Sequence, residues 1–213
     1  MNDGLSMIQD RLDAAKLLAE KLGFVKGMDC VVLAIPRGGV MVGDQIARIL
    51  GFPLDVIIAK KITPPDYPEY AVGAVTFDGV MYYGPDWERW SADPRFEQEI
   101  QQKKAEVARQ LEAYRGNTQY RLEGKSVILV DDGVATGATV CAILEWLSKK
   151  KAKEVILAVP VIPYTTYELL KRFGIKIVAV EIPTEFSSVG QFYRKFEQVP
   201  EQTVIDILQR HRK

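Results

Sequence analysis

The chain has 213 residues, 47% of them apolar, and sets 28 Lys and Arg against 28 Asp and Glu. An apolar share of that size can bury a core, and the length corresponds to one domain at roughly 100 to 200 residues per domain, so bulk disorder is excluded. With a formal net charge of zero and a pI near 6.6 there is no global field to hold a polyanion, and nucleic acid is demoted as a partner.

The N-terminal stretch MNDGLSMIQDRLDAAKLLAEKLG is charged and amphipathic and lacks the apolar run of a secretory leader, so the expected location is the cytoplasm. Ser6 and Gln9 have capping-box spacing, and Ile8, Leu12, Ala15, Leu18, Ala19 and Leu22 recur at helical period, predicting a helix over 7–22. Cys30 to Ile35 is a continuous branched apolar run, as expected of a strand over 31–35 buried on both faces of a parallel sheet. IPRGGV then leads into a helix closed by Gly51, and Leu54 to Ala59 predicts a second buried strand, completing a βαβ unit. Lys60 to Tyr70 (KKITPPDYPEY) holds three prolines and no apolar period. A long loop is expected there, with Lys61 to Tyr70 mobile without ligand and closing over the site when it is full. AVGAVTF and VMYY on either side of Asp78-Gly79 predict a hairpin with a two-residue turn. Asp93-Pro94 opens a charged helix running to about Tyr114, with Phe96, Ile100, Val107 and Leu111 as its inward stripe and Gly116 as its end.

After Gly124 the alternation resumes with the strand SVILV, a loop, the helix ATVCAILEWLSKK, the strand EVILAVP, a helix over about 164–173, and the strand IKIVAVEIP. The longest charge-free stretch, Val155 to Tyr167, contains Pro160 and Pro163 and falls short of the ~18 apolar residues a membrane span needs, so no membrane association is expected. The two cysteines, Cys30 and Cys141, lie far apart and the lone histidine is His211, which excludes a disulfide scaffold, a zinc cluster and a histidine-based triad. The expected architecture is a single α/β domain over 1–213. Its core, about 24–77 and 124–182, is a parallel sheet of three to four strands flanked by helices; about 78–123 and 183–213 supply an inserted hairpin/helix hood and terminal elements.

The segment that carries most chemistry is VILVDDGVATGAT, Val127 to Thr139, a buried strand passing through two acids and a Gly/Thr-rich turn into a helix. Ligands of open α/β sheets sit beyond the carboxyl ends of the strands, where backbone N–H groups, hydroxyls and a helix N-terminus converge on an anion. Gly133 and Gly137 let the backbone approach a phosphate, and Thr136 and Thr139 donate hydroxyl hydrogen bonds. Asp131 and Asp132 repel phosphate, so they face vicinal hydroxyls or the water shell of a metal. At the same edge Pro36, Arg37, Gly38 and Gly39 follow the first strand, where Arg37 can fork onto phosphate oxygens. Gly38 to Gly43 is not G-x-G-x-x-G, and Asp44-Gln45 stands where a P-loop needs Lys and Ser or Thr, which disfavours dinucleotide and nucleoside triphosphate sites in this loop. Lys60 and Lys61 close the second strand, and one of them is positioned to neutralise an anionic leaving group. Two aromatic clusters, Tyr82, Tyr83, Trp87 and Trp90, and Phe186, Phe192, Tyr193 and Phe196, read as packing or subunit contacts or as cover over a ligand at this edge.

VILVDDGVATGAT resembles the phosphoribosyl pyrophosphate signature of the type I phosphoribosyltransferases. From about Leu33 to Val204 the chain is similar to a subgroup of those proteins without an established acceptor, through IPRGGV, PEYAVGAV, the YRG at Tyr114 and the VGQFY near Gly190. The resemblance implies that Asp131 and Asp132 hold the ribose 2- and 3-hydroxyls and, through water, Mg²⁺. It assigns the 5-phosphate to Gly133, Val134, Ala135, Thr136, Gly137, Ala138 and Thr139, and the pyrophosphate to the loop with Arg37, Gly38 and Gly39. The implied reaction passes a 5-phosphoribosyl group from phosphoribosyl pyrophosphate to a nitrogen acceptor, with a homo-oligomer, a dimer by preference, as the expected assembly. Ala135 stands where hypoxanthine-guanine enzymes of the family carry an Asp facing the base, which argues against a 6-oxopurine acceptor. Glu69, in PEYA, is then the candidate general base. A regulatory protein binding the same ligand without transfer is the competing reading, because fold does not fix function.

Overall fold

The computed structural model describes residues 7–64, 66–68 and 70–212. In chain order its elements begin with α1 (Arg11–Lys21), β1 (Cys30–Ala34), α2 (Gly38–Leu50), β2 (Leu54–Val56), β3 (Ala59–Ile62), β4 (Gly73–Thr76) and β5 (Met81–Tyr83). They continue with α3 (Trp87–Ser91), α4 (Pro94–Arg115), β6 (Ser126–Val130), α5 (Ala138–Ser148), β7 (Glu154–Val161), α6 (Tyr164–Lys171), β8 (Lys176–Glu181) and α7 (Glu201–His211).

Five strands, one or two more than expected, form an all-parallel sheet in the order β2-β1-β6-β7-β8. Every residue of β1 and β6 is buried, which explains why both read as unbroken apolar runs rather than alternating ones. One face of the sheet is covered by α1, α2, α7 and the second half of α4, the other by α5 and α6. The chain is an α/β protein of the expected class.

Several boundaries move. Ser6 lies outside the described residues, and α1 starts only at Arg11, capped by the Asp10 carboxylate, which accepts from the amides of Leu12 and Asp13. Ile8, placed on that helix from its period, instead forms an isolated parallel bridge to Tyr193. The run Leu54 to Ala59 is not one strand. It leaves the parallel sheet after Val56, and Ala59 begins β3 in a separate antiparallel sheet, β3-β4-β5. Lys60 and Lys61 are therefore strand residues rather than the opening of a loop. Inside the Thr76–Val80 pair the turn has three residues rather than two: the Thr76 amide donates to the Val80 carbonyl and the Thr76 carbonyl accepts from Gly79, whose φ of +84° suits a left-handed third position. Helix α7 is absent from the sequence-based expectation, although Val204, Ile207 and Leu208 stand at helical spacing and are all buried.

The second sheet packs Ile62, Val72 and Val75 against Phe96 and Ile100 of α4. Asp78 ties its hairpin to α5 by accepting from Thr76 Oγ1 at 2.7 Å and Trp146 Nε1 at 2.9 Å. Burial opposes the Asp78 charge, but these two donors and Lys150 outweigh it and hold the carboxyl below its ordinary value. The loop between β3 and β4, expected to lack apolar anchors, makes surface contacts at its described residues. Tyr67 packs on Trp90 with ring centroids 5.3 Å apart, Asp66 pairs with Arg95 at 2.8 Å, and the Tyr70 hydroxyl donates to Asp86. Trp87 likewise packs on Phe96 and Tyr83, so this half-buried aromatic cluster packs on itself and on α4 while Tyr83 stays exposed.

The lone histidine has a structural use. Asp44 of α2, its side chain only 6% exposed, accepts from Arg48 at 2.9 Å, meets His211 Nε2 at 2.6 Å and has Arg210 at 3.7 Å, clasping the end of α7 to α2. The arginines left behind are about half exposed and can be solvated, so Asp44→Ala is expected to lower stability by only about 1 to 2 kcal/mol through the lost charge-assisted hydrogen bonds. Urea denaturation reads this directly, and a midpoint equal to the parent's would show that α7 is held by its apolar face alone.

Candidate functional site

Strand β6 delivers Asp131 and Asp132 to the carboxyl edge of the sheet, and β1 delivers Pro36 to Gly39 beside them, with the Ile35 amide bonded to the Val130 carbonyl at 2.8 Å. The two loops touch. A Cβ on Gly38 would overlap the Asp132 carboxylate, and one on Gly39 would come within 2.8 Å of the Asp131 Cα. Both glycines lie in the first turn of α2, and their lack of a side chain is what lets the two loops close on each other.

The turn beyond the acids is fixed from outside. The Val134 amide donates to the Val161 carbonyl at 2.9 Å and Thr166 Oγ1 to the Ala135 carbonyl at 2.6 Å, tying it to β7 and α6. Gly137, at φ +79°, caps α5, and the first bond of that helix runs from the Cys141 amide to the Gly137 carbonyl. The amides of Ala138, Thr139 and Val140 therefore stand ahead of the helical ladder, where a helix N-terminus attracts an anion. Thr136 is exposed and Thr139 half-buried beside them.

Asp131 and Asp132 are both half-buried. Burial first, and the neighbouring Asp132 charge second, raise the Asp131 carboxyl well above its ordinary value. Asp132 is paired with a residue that sequence reasoning missed. Arg11, the first residue of α1, donates Nε to Asp132 Oδ2 at 2.7 Å, donates Nη1 to the Glu197 carbonyl at 2.8 Å and lies 4.1 Å from the centroid of the Phe196 ring. The Tyr193 hydroxyl donates to the Asp132 carbonyl at 2.7 Å, and burial pushes its own pKa up. Ile8 and Gln9 pair with the segment from Phe192 to Lys195 through the backbone. The Ile8 amide donates to the Phe192 carbonyl, the Arg194 amide to the Ile8 carbonyl, and the Lys195 amide to the Gln9 carbonyl. The VGQFY segment thus braces the acid pair, and Val189 fills the space that a Cβ on Gly133 would need.

A cavity of about 330 Å³ opens on the other side of the Pro36–Gly39 loop. Arg37 and Lys60 both line it, together with Gln110 and Tyr114 of α4 and Glu201 of α7, three residues for which sequence reasoning gave no such role. Strand alternation separates the two lysines: Lys60 is half-buried and faces the cavity, and Lys61 is exposed. Burial, reinforced by Glu201, pushes the Tyr114 hydroxyl up to about 12, with Arg37 pulling the other way. Glu69 lies outside the described residues. Cys141 is buried in α5, its thiol pushed up to about 12 by that burial, and takes no part in the edge.

Residues 4–196 match the phosphoribosyl transferase domain family. The chain belongs to that family. This phosphoribosyl transferase domain is 36% identical over 209 residues to a Mycobacterium tuberculosis protein named "Putative phosphoribosyl transferase Rv0571c", covering 97% of the chain. It spans about half, 47%, of that relative's length. Among solved structures, TT1426 from Thermus thermophilus is 37% identical with a TM-score of 0.80, over 96% of this chain and 98% of that one. AQ2163 from Aquifex aeolicus, at 12% identity and a TM-score of 0.52 over 81% and 72% of the two chains, shares the fold. Among the described residues no helix is long and apolar enough to cross a membrane.

Proposed function

We propose that this domain transfers the 5-phosphoribosyl group of phosphoribosyl pyrophosphate to a nitrogen acceptor, releasing pyrophosphate. The observation that carries this reading is the contact between the Asp131–Thr139 turn and the Pro36–Gly39 loop, with the Arg37 and Lys60 cavity directly alongside. Donors for a terminal phosphate, acceptors for a diol and cations for a leaving anion then stand in one row. The anomeric carbon becomes cationic as pyrophosphate leaves, so holding both phosphate ends and neutralising the departing one is the main protein contribution.

Among the described residues there is no cluster of three or more metal-ligating side chains. The adjacent carboxylates Asp131 and Asp132 fit Mg²⁺, which keeps much of its water and shares its remaining positions with substrate oxygens rather than filling a protein cage. Bound there, the ion would supply positive charge to the ribose and pyrophosphate oxygens. Asp132 has Oδ1 left for a ribose hydroxyl while Oδ2 is held by Arg11.

Each lost charge-assisted hydrogen bond costs about 1.5 to 3 kcal/mol, so Asp132→Asn and Thr136→Val are each expected to weaken phosphoribosyl pyrophosphate binding tenfold or more. Calorimetry giving parental affinity in both variants would remove the ligand from this turn. Ala135 offers no proton acceptor to the incoming nitrogen, and we assign that task to Glu69. Glu69→Gln is expected to slow transfer by about 10² to 10⁴ with phosphoribosyl pyrophosphate affinity unchanged, and equal loss of both in a titration and a rate assay would reassign it to loop structure.

The transfer itself is tested by offering purified protein a panel of nucleobases and related heterocycles with Mg²⁺ and phosphoribosyl pyrophosphate, following pyrophosphate release. Tight binding without release for any acceptor would establish instead a protein that senses the ligand.

A further inference from the structure

We infer that this protein carries a second anion site, for a nucleoside phosphate, at the amino edge of the parallel sheet, opposite the phosphoribosyl edge. A cavity of about 570 Å³ opens there beside Val31 of β1, Leu54 of β2 and Lys125, the residue before β6. Five-residue strands at ~3.3 Å per residue put about 15 Å between this edge and Asp131.

Its charge is unlike that of the chain as a whole. Arg115, Arg121, Lys125 and Arg212 line the cavity against one acid, Asp55, in a sequence whose charges balance. The Asp55 charge is already consumed: both its oxygens take the Arg115 fork, at 2.7 and 2.8 Å. Arg115, its side chain 9% exposed, also donates to the Asn117 and Gln119 carbonyls and lies 3.8 Å from the centroid of the Tyr120 ring. The YRG motif at Tyr114 thereby acts as the anchor that shapes the following turn and presents Arg121.

The other cations are available to an anion. Arg121 is exposed and has no hydrogen-bond or ion-pair partner among the described residues. Lys125 reaches Asp29 at 2.9 Å, but that carboxylate is 71% exposed, and such surface pairs exchange readily for a better partner. Arg212 gives one hydrogen bond to the Tyr114 carbonyl and meets no acid among the described residues. The remaining walls are the apolar side chains of Val31, Pro53, Leu54, Leu122 and Leu208 and the amide residues Asn117 and Gln119. A cavity of this size that offers cations, amide groups and apolar surface together suits a ligand with a phosphate group and a flat organic body. The two cavities share supports: Tyr114 and Glu201 line the phosphoribosyl side, while Arg115 and Arg212, on or next to the same two helices, line this one.

The test is calorimetric titration of the full chain with ATP, GTP, CTP and UTP, and with inorganic tripolyphosphate, in the parent, in Arg121→Glu, in Arg121→Ala with Arg212→Ala, and in Arg37→Ala. At least one nucleotide is expected to bind, with affinity reduced tenfold or more by each change at Arg121 and held within twofold in Arg37→Ala. Arg121→Glu alters a side chain without partners among the described residues, so it keeps the test decisive if the double variant does not fold. Binding by none of the four, binding indifferent to Arg121, or binding lost in Arg37→Ala would overturn the site. Tripolyphosphate binding as tightly as the nucleotides would overturn the nucleoside part of it.

Discussion

Lys60→Ala is expected to lower kcat/KM for phosphoribosyl transfer by about 10² to 10³, the usual loss when one preorganised charge stabiliser is removed, while Lys61→Ala stays within twofold of the parent. The two residues are neighbours of the same charge, and composition or spacing cannot rank them. The β3 register does. Lys60 turns into the cavity that Arg37 also lines, and Lys61 turns out to solvent. Pyrophosphate affinity measured by calorimetry should follow the same order, giving a readout independent of the acceptor. Equal effects of the two substitutions would mean that β3 does not hold this register when ligand is bound.

The second large effect is expected at Arg11. Asp132 is half-buried beside the turn proposed to hold a phosphate, and its charge would repel that group if nothing offset it. Arg11 supplies the offset at 2.7 Å and at the same time holds Glu197 and Phe196 over the acid pair. Arg11→Ala is therefore expected to weaken phosphoribosyl pyrophosphate binding tenfold or more, consistent with about 1.5 to 3 kcal/mol for a charge-assisted hydrogen bond. Arg11→Lys should recover only part, since an ammonium cannot reproduce the planar fork that reaches the carboxylate and a carbonyl together. Calorimetry showing tighter binding in Arg11→Ala would reverse the assignment and make Arg11 a plug that the ligand displaces.

The parts of this site that could be read from sequence are those written within a few residues. Val127 to Thr139 announces its strand, acids, turn and helix in one stretch, and the PRGG loop follows an equally plain buried strand. The five-strand count is blurred because Leu54 to Ala59 is almost wholly apolar, and nothing in such a run marks where a chain leaves one sheet for another. Ile8 matches the helical period of the residues after it, but Asp10 captures the amides of the first turn and excludes Ile8 from the helix. Val204, Ile207 and Leu208 do carry a readable signal for α7, and with it Glu201 at the cavity lined by Arg37 and Lys60. Arg11 carries none, because its meaning lies in an aspartate 121 residues away.

Those separations bear on how the protein comes to fold. The contacts that complete the acid pair link Arg11 to Asp132, 121 residues on, and to Glu197, 186 residues on. Closing such long loops costs entropy before any contact compensates it, so pairings of this kind form late and slowly. The β1–β2 and β6–β7–β8 groups can each assemble from neighbouring stretches of chain, but β1 meets β6 only when Cys30 comes opposite Ser126, and the acid pair also waits for Arg11 and Glu197. A newly made chain would therefore acquire two half-sheets first and complete the edge that carries Asp131 and Asp132 only at the close of folding.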